Sequence, residues 1–88
     1  MKRRFLKWLM RKTLSAFDYQ CYEIIDFVNY APFPTLSVPL AEIVHQFGEP
    51  YFDAIIECLQ KDYIVRLEGD DTRVMFGIQA FLEPKFIF

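Results

Sequence analysis

The chain is short of several things that chemistry usually needs. In 88 residues it has one histidine, three glycines, two cysteines and one tryptophan. Acid–base or nucleophilic catalysis requires a base held against a nucleophile or a second acid, and His45 stands alone, near a helix end where a surface imidazole suits the negative end of the dipole. Cys21 and Cys58 are too few for a secreted disulfide scaffold and lack the paired spacing of a zinc site, so they read as reduced core thiols. Gly48, Gly69 and Gly77 are isolated, which excludes a glycine-rich phosphate loop. Asp53 and Glu57 share a helical face, and Glu68, Asp70 and Asp71 crowd one turn. Such spacings are ordinary on solvated surfaces, and the calcium-loop pattern is absent. No apolar run approaches the roughly 18 residues of a membrane span, and Lys7, Arg11 and Lys12 interrupt any signal-peptide core. The expectation is a cytoplasmic, non-enzymatic protein without metal, cofactor or small-molecule substrate.

Apolar material, by contrast, is plentiful. Hydrophobic residues make up 53% of the chain and aromatic ones 18%. That exceeds what the core of one small domain easily absorbs, so part of it is expected in an interface between copies. Charge is unevenly placed. Lys2, Arg3, Arg4, Lys7, Arg11 and Lys12 stand within the first twelve residues with no acid among them, a net of +6, whereas residues 13–88 carry four bases against twelve acids, a net of −8. A basic arm on an acidic body is the main electrostatic feature.

Periodicity divides the chain into a basic amphipathic helix (1–17), a central domain (18–82) and an apolar tail (83–88). Leu6, Leu9, Met10, Leu14 and Phe17 fall at helical spacing, with Arg3, Arg4, Lys7 and Arg11 opposite. Asp18 is a candidate cap for a second helix with the stripe Cys21, Ile24, Ile25 and Val28, ended by Pro32 and Pro34 in a rigid loop at 31–34. Residues 35–38 read as extended, and Pro39 opens a helix through Leu40, Ile43, Val44 and Phe47 that Gly48 closes. Glu49-Pro50 opens another over 50–61, with Phe52, Ile55, Ile56 and Leu59 as its buried face and Asp53, Ala54, Glu57, Gln60 and Lys61 outward. Residues 63–67 and 73–78 are β-rich runs joined by a turn at 68–72, hence a hairpin.

This order, in an α+β and mainly α chain, resembles the winged helix-turn-helix superfamily from Leu36 to Ile78. Leu40-Ala41-Glu42-Ile43-Val44 looks like its first helix-turn-helix helix, Phe52 to Leu59 like its recognition helix, and Gln60-Lys61-Asp62-Tyr63-Ile64-Val65 like the exit into a wing at Glu68 to Arg73. The resemblance implies a three-helix core with a C-terminal β-hairpin wing, here with an extra N-terminal amphipathic helix. Asp62 stands where the family often has glycine, and Phe47-Gly48-Glu49-Pro50 departs from its usual turn.

A recognition helix that reads DNA carries bases and amides on its outer face. The outward residues expected here are acidic, and a carboxylate beside a phosphate opposes the counterion release that drives binding. The leading expectation is therefore a module for protein association, dimeric through Phe5, Leu6, Leu9, Met10 and Leu14 with Phe86, Ile87 and Phe88. The alternative is a small DNA-binding transcription regulator, in which Lys2, Arg3, Arg4, Lys7, Arg11 and Lys12, with Arg66 and Arg73, contact nucleic acid or an acidic partner. Phe5, Trp8 and Leu9 beside those cations also suit an anionic membrane surface.

Overall fold

The computed structural model describes residues 2–31 and 37–88. A run of good helix formers free of glycine and proline makes α1 (Lys2–Thr13). The chain breaks at Ser15, whose hydroxyl accepts from the Asp18 amide at 3.1 Å and caps α2 (Ala16–Asn29). The expected first helix running through Phe17, with Asp18 capping the second, is thus corrected. Phe17 belongs to the first turn of α2, and the Asp18 carboxylate pairs with Lys85 at 3.1 Å instead. The expected stripe Cys21, Ile24, Ile25 and Val28 is indeed the buried one, joined by Tyr22 and Asp26. Most of the expected loop at 31–34, with Thr35 and Leu36, lies outside the described residues.

Strand β1 (Ser37–Pro39) runs directly into α3 (Leu40–Phe47). Gly48, at φ 79°, ends it, and a 3₁₀ turn (Glu49–Tyr51) leads into α4 (Phe52–Gln60). The end of α4 is held by two hydrogen bonds, from the Tyr63 amide to the Cys58 carbonyl (2.9 Å) and from the Asp62 amide to the Leu59 carbonyl (3.3 Å). This Schellman arrangement requires a left-handed residue, and Asp62 takes it at φ 59°. Strands β2 (Ile64–Leu67) and β3 (Asp70–Phe76) form the expected hairpin, and α5 (Gln79–Leu82) follows. The connection is tighter than expected, since β3 already begins at Asp70 and Gly69 turns the chain at φ 88°. The result is a mainly helical α+β fold with a three-stranded antiparallel sheet in the order β1-β3-β2, registered by Val38 opposite Val74 and Ile64 opposite Phe76.

The core lies between α2, α4 and the sheet. On α4 the buried residues are Ala54, Ile55 and Cys58, while Phe52 and Ile56 are 43% and 51% exposed. The expected face was therefore rotated, and Ala54 faces inward rather than outward. Small side chains let the two helices approach closely: the Cys58 thiol points to the Cys21 carbonyl at 3.7 Å, and the Cys21 thiol to the Ala54 carbonyl at 3.9 Å. Larger side chains at 54 and 58 would force the helices apart.

The apolar tail is no free appendage. Phe86 is buried and meets Tyr63 edge-on at 5.3 Å, and Phe88 stacks on Tyr22 at 5.0 Å. Met10 is also in the core, and Leu9, Leu14 and Phe88 pack against it. Of the residues expected at a dimer interface, Met10 and Phe86 are buried in their own chain, and Leu14 and Phe88 are partly buried against that core.

Three tyrosines brace these elements. Tyr51 donates to Glu23 at 2.8 Å and Tyr63 to Glu83 at 3.0 Å, while Tyr22 is buried under the tail. Burial, then neighbouring carboxylates, raises Tyr22 and Tyr51 to about 12 and Tyr63 further still. An unfolded tyrosine titrates near pH 10, so the fold holds these phenols neutral. Their contribution is complete below about pH 10 and is lost as pH rises through about 12. Melting temperature followed by circular dichroism should be flat on the neutral side of that window and fall within it; a flat profile through about pH 12 would refute the assignment.

Candidate functional site

The basic arm is a helix that lies against the body of the fold. Helix α1 packs on α2, and the Arg3 guanidinium reaches back to the buried Asp26 carboxylate at 2.9 Å while lying 4.1 Å above the Tyr30 ring. The hydrogen bond to Asp26 raises the Arg3 pKa further, while the guanidinium stays about half exposed. Lys7 is half-buried, and the side chain of Lys2 is outside what the structure describes. Arg4, Arg11 and Lys12 remain exposed. Between them on the outward face is Trp8, 56% exposed, its ring stacked 6.1 Å from that of Phe5, which is 58% exposed. Leu6 and Leu9 are half-buried beneath.

The other expected contacts separate from this face. Arg73 donates to the Ser37 hydroxyl at 2.9 Å and the Ser37 carbonyl at 3.0 Å, tying β3 to β1. Arg66 is exposed on β2, where it shares a shallow cleft with Leu40, Val44 and Asp71. Ile87 is exposed, as are Ile78 and, on α5, Phe81 and Leu82.

The rotation of α4 has a consequence at the surface. Phe52, Ile56 and Leu59, displaced from the core stripe, face Leu40 and Val44 of α3 across a groove of about 390 Å³ floored by Ile55. Every lining residue is apolar, and a cavity of this size is in the range that takes up a side chain or ligand group. Helices α3 and α4 with the turn between them carry Glu42, Glu49, Asp53 and Glu57 and no lysine or arginine, Lys61 follows at the end of α4, and Arg66 and Asp71 share the adjoining cleft. On the hairpin the Thr72 hydroxyl and amide both donate to Asp70, holding that carboxyl below its ordinary range. The groove itself offers apolar burial, on helices whose own charges are acidic.

The expectation missed the groove, although a signal was present. Helix α4 has two overlapping apolar stripes, one of large residues and one containing Ala54 and Cys58, and a core needs only one. Elsewhere His45 is exposed, and both thiols are free and buried. The hydrogen bond to Cys21, then burial, holds the Cys58 thiol above its ordinary value, which opposes thiolate chemistry there. Among the described residues no cluster of three or more potential ligands is placed to hold a metal, and no helix is long and apolar enough to cross a membrane. No protein-family model, curated protein or solved structure matches the chain.

Proposed function

We propose that the chain is a non-enzymatic winged-helix module that works by protein association. The helix–strand–helix–helix–hairpin order from α2 to β3 and the β1-β3-β2 sheet support the fold reading. Left-handed Asp62, at the position where the superfamily often has glycine, supports it too. The observation that carries the function is the outward face of α4. In the recognition-helix position stand Phe52 and Ile56, bordering an apolar groove in a stretch of four acids without a base. The groove lining itself offers phosphate no cation, whereas it offers burial to a partner's apolar side chains.

A second reading rests on α1, whose exposed Arg4, Arg11 and Lys12 offer cations for phosphates away from α4. Anisotropy of a labelled DNA duplex across a salt series separates the two. Association through the groove is expected to leave the duplex unbound at physiological ionic strength. Salt-dependent binding that vanishes when Arg4, Arg11 and Lys12 are changed to glutamine would install the second reading. Binding that survives those changes but is lost when Lys61 and Arg66 are changed to glutamine would place DNA beside α4 and overturn the first.

A further inference from the structure

The groove and the outward face of α1 are complementary in composition, although Arg11 also lies 5.6 Å over the Tyr19 ring of its own chain. Met10 in the core and the Arg3–Asp26 ion pair fix α1 against α2 and leave Trp8 and Phe5 more than half exposed, with Trp8, Arg4 and Arg11 bordering a shallow pocket shared with Tyr19 and Glu23 of α2. One surface is aromatic and set among cations; the other is an apolar cleft in an acidic surround. Asp53 follows Phe52 on the exposed side of α4, and Asp71 faces Leu40 and Val44 across the adjoining cleft, where Arg66 is the one base. A tryptophan flanked by cations entering an apolar pocket with carboxylates at its edge is the usual composition of an interface anchor.

We propose that the groove between α3 and α4 receives the outward face of α1 from a second copy of this chain. Trp8 and Phe5 enter the groove, and Arg4, Arg11 and Lys12 face the carboxylates around it. The contact joins unlike surfaces, and two copies that exchange it reciprocally close as a two-fold pair, whereas one-way docking would propagate as a chain. The proposal rests on the association reading above and names its partner.

Trp8 is the only tryptophan, so its emission reports on this face alone. Sedimentation of the full chain across a concentration series should give a monomer–dimer equilibrium, accompanied by a blue shift as Trp8 leaves water. High salt should weaken it by screening the charged edges. Trp8→Glu, repelled by the acidic surround, and Ile56→Lys, repelled by the cations of α1, should each lower the association constant at least tenfold. Both side chains are more than half exposed, and unchanged circular dichroism would verify that each variant folds. An equimolar mixture of the two variants should associate again, because Ile56→Lys supplies an intact α1 and Trp8→Glu an intact groove. A wild-type monomer at high micromolar concentration overturns the proposal. So does a dimer that tolerates both variants but is broken by Leu82→Glu, which would put the contact on α5, or a mixture that fails to recover. None of these results bears on the duplex titration, so failure of self-docking and failure of the association reading remain distinct.

Discussion

Gly77→Ala is expected to destabilise the fold by about 3 kcal/mol or more, at or beyond the upper end of ordinary over-packing. Gly77 follows β3, and its amide donates to the Tyr63 carbonyl at 2.8 Å. A Cβ added there would land on the Asp62 carbonyl oxygen and press on the Tyr63 backbone. Backbone cannot swing aside as a side chain can, and Asp62 is itself pinned by the hydrogen bonds that end α4. Relief would mean undoing the helix end or the exit of β3. Gly69→Ala is the control, since nothing stands within contact distance of its Cβ and only the φ of 88° opposes the change, worth about 1–2 kcal/mol. Urea denaturation of both variants measures the difference. Equal losses would mean that the close approach at Gly77 does not constrain the fold.

Phe86→Ala is expected to lose about 3–5 kcal/mol, the usual result of emptying a buried aromatic site, while its neighbour Ile87→Ala should change stability by no more than about 0.5 kcal/mol. Phe86 is 5% exposed among Tyr22, Tyr63 and Phe88, whereas Ile87 faces solvent. For a domain whose total stability is about 5–15 kcal/mol, the first change threatens folding and the second does not. Thermal denaturation of the two variants decides it. If Ile87 proves the costlier residue, the tail packs in the opposite sense, and the residue expected from sequence to meet a second copy would have to be reconsidered.

What could be read from the residues was the identity and order of the elements. Pro39, Gly48 and Gly69 punctuate the chain where its backbone changes direction, and the change from a helical to an alternating period after Asp62 announces the hairpin. The stripe of α2 was equally legible, because Cys21, Ile24, Ile25 and Val28 offer one apolar face. On α4 periodicity gave two answers, since Phe52, Ile55, Ile56 and Leu59 satisfy it as well as Ala54, Ile55 and Cys58 do. The choice depends on how closely α2 approaches, which is a tertiary quantity and favours the smaller residues. The groove was hidden behind that choice. Arg3 was misplaced for a related reason. A cation four residues from another cation reads as part of a solvated face until Asp26, 23 positions later, is seen to be buried beneath it. Ser15 was locally available as a cap, but Asp18 three residues on competed for the role, and the ion pair with Lys85 that settles the matter spans most of the chain.

That last ion pair, with the rings of Phe86 and Phe88 on Tyr22, also sets a schedule for folding during synthesis. Asp18 and Lys85 are 67 residues apart in sequence. At about 5–20 residues per second a ribosome takes roughly 3–13 s to make the intervening chain, whereas helices and hairpins form within microseconds. The Tyr22 ring therefore lacks its Phe86 and Phe88 partners for seconds after α2 is made. During that interval the buried stripe of α2 has yet to receive the last of the chain that covers it.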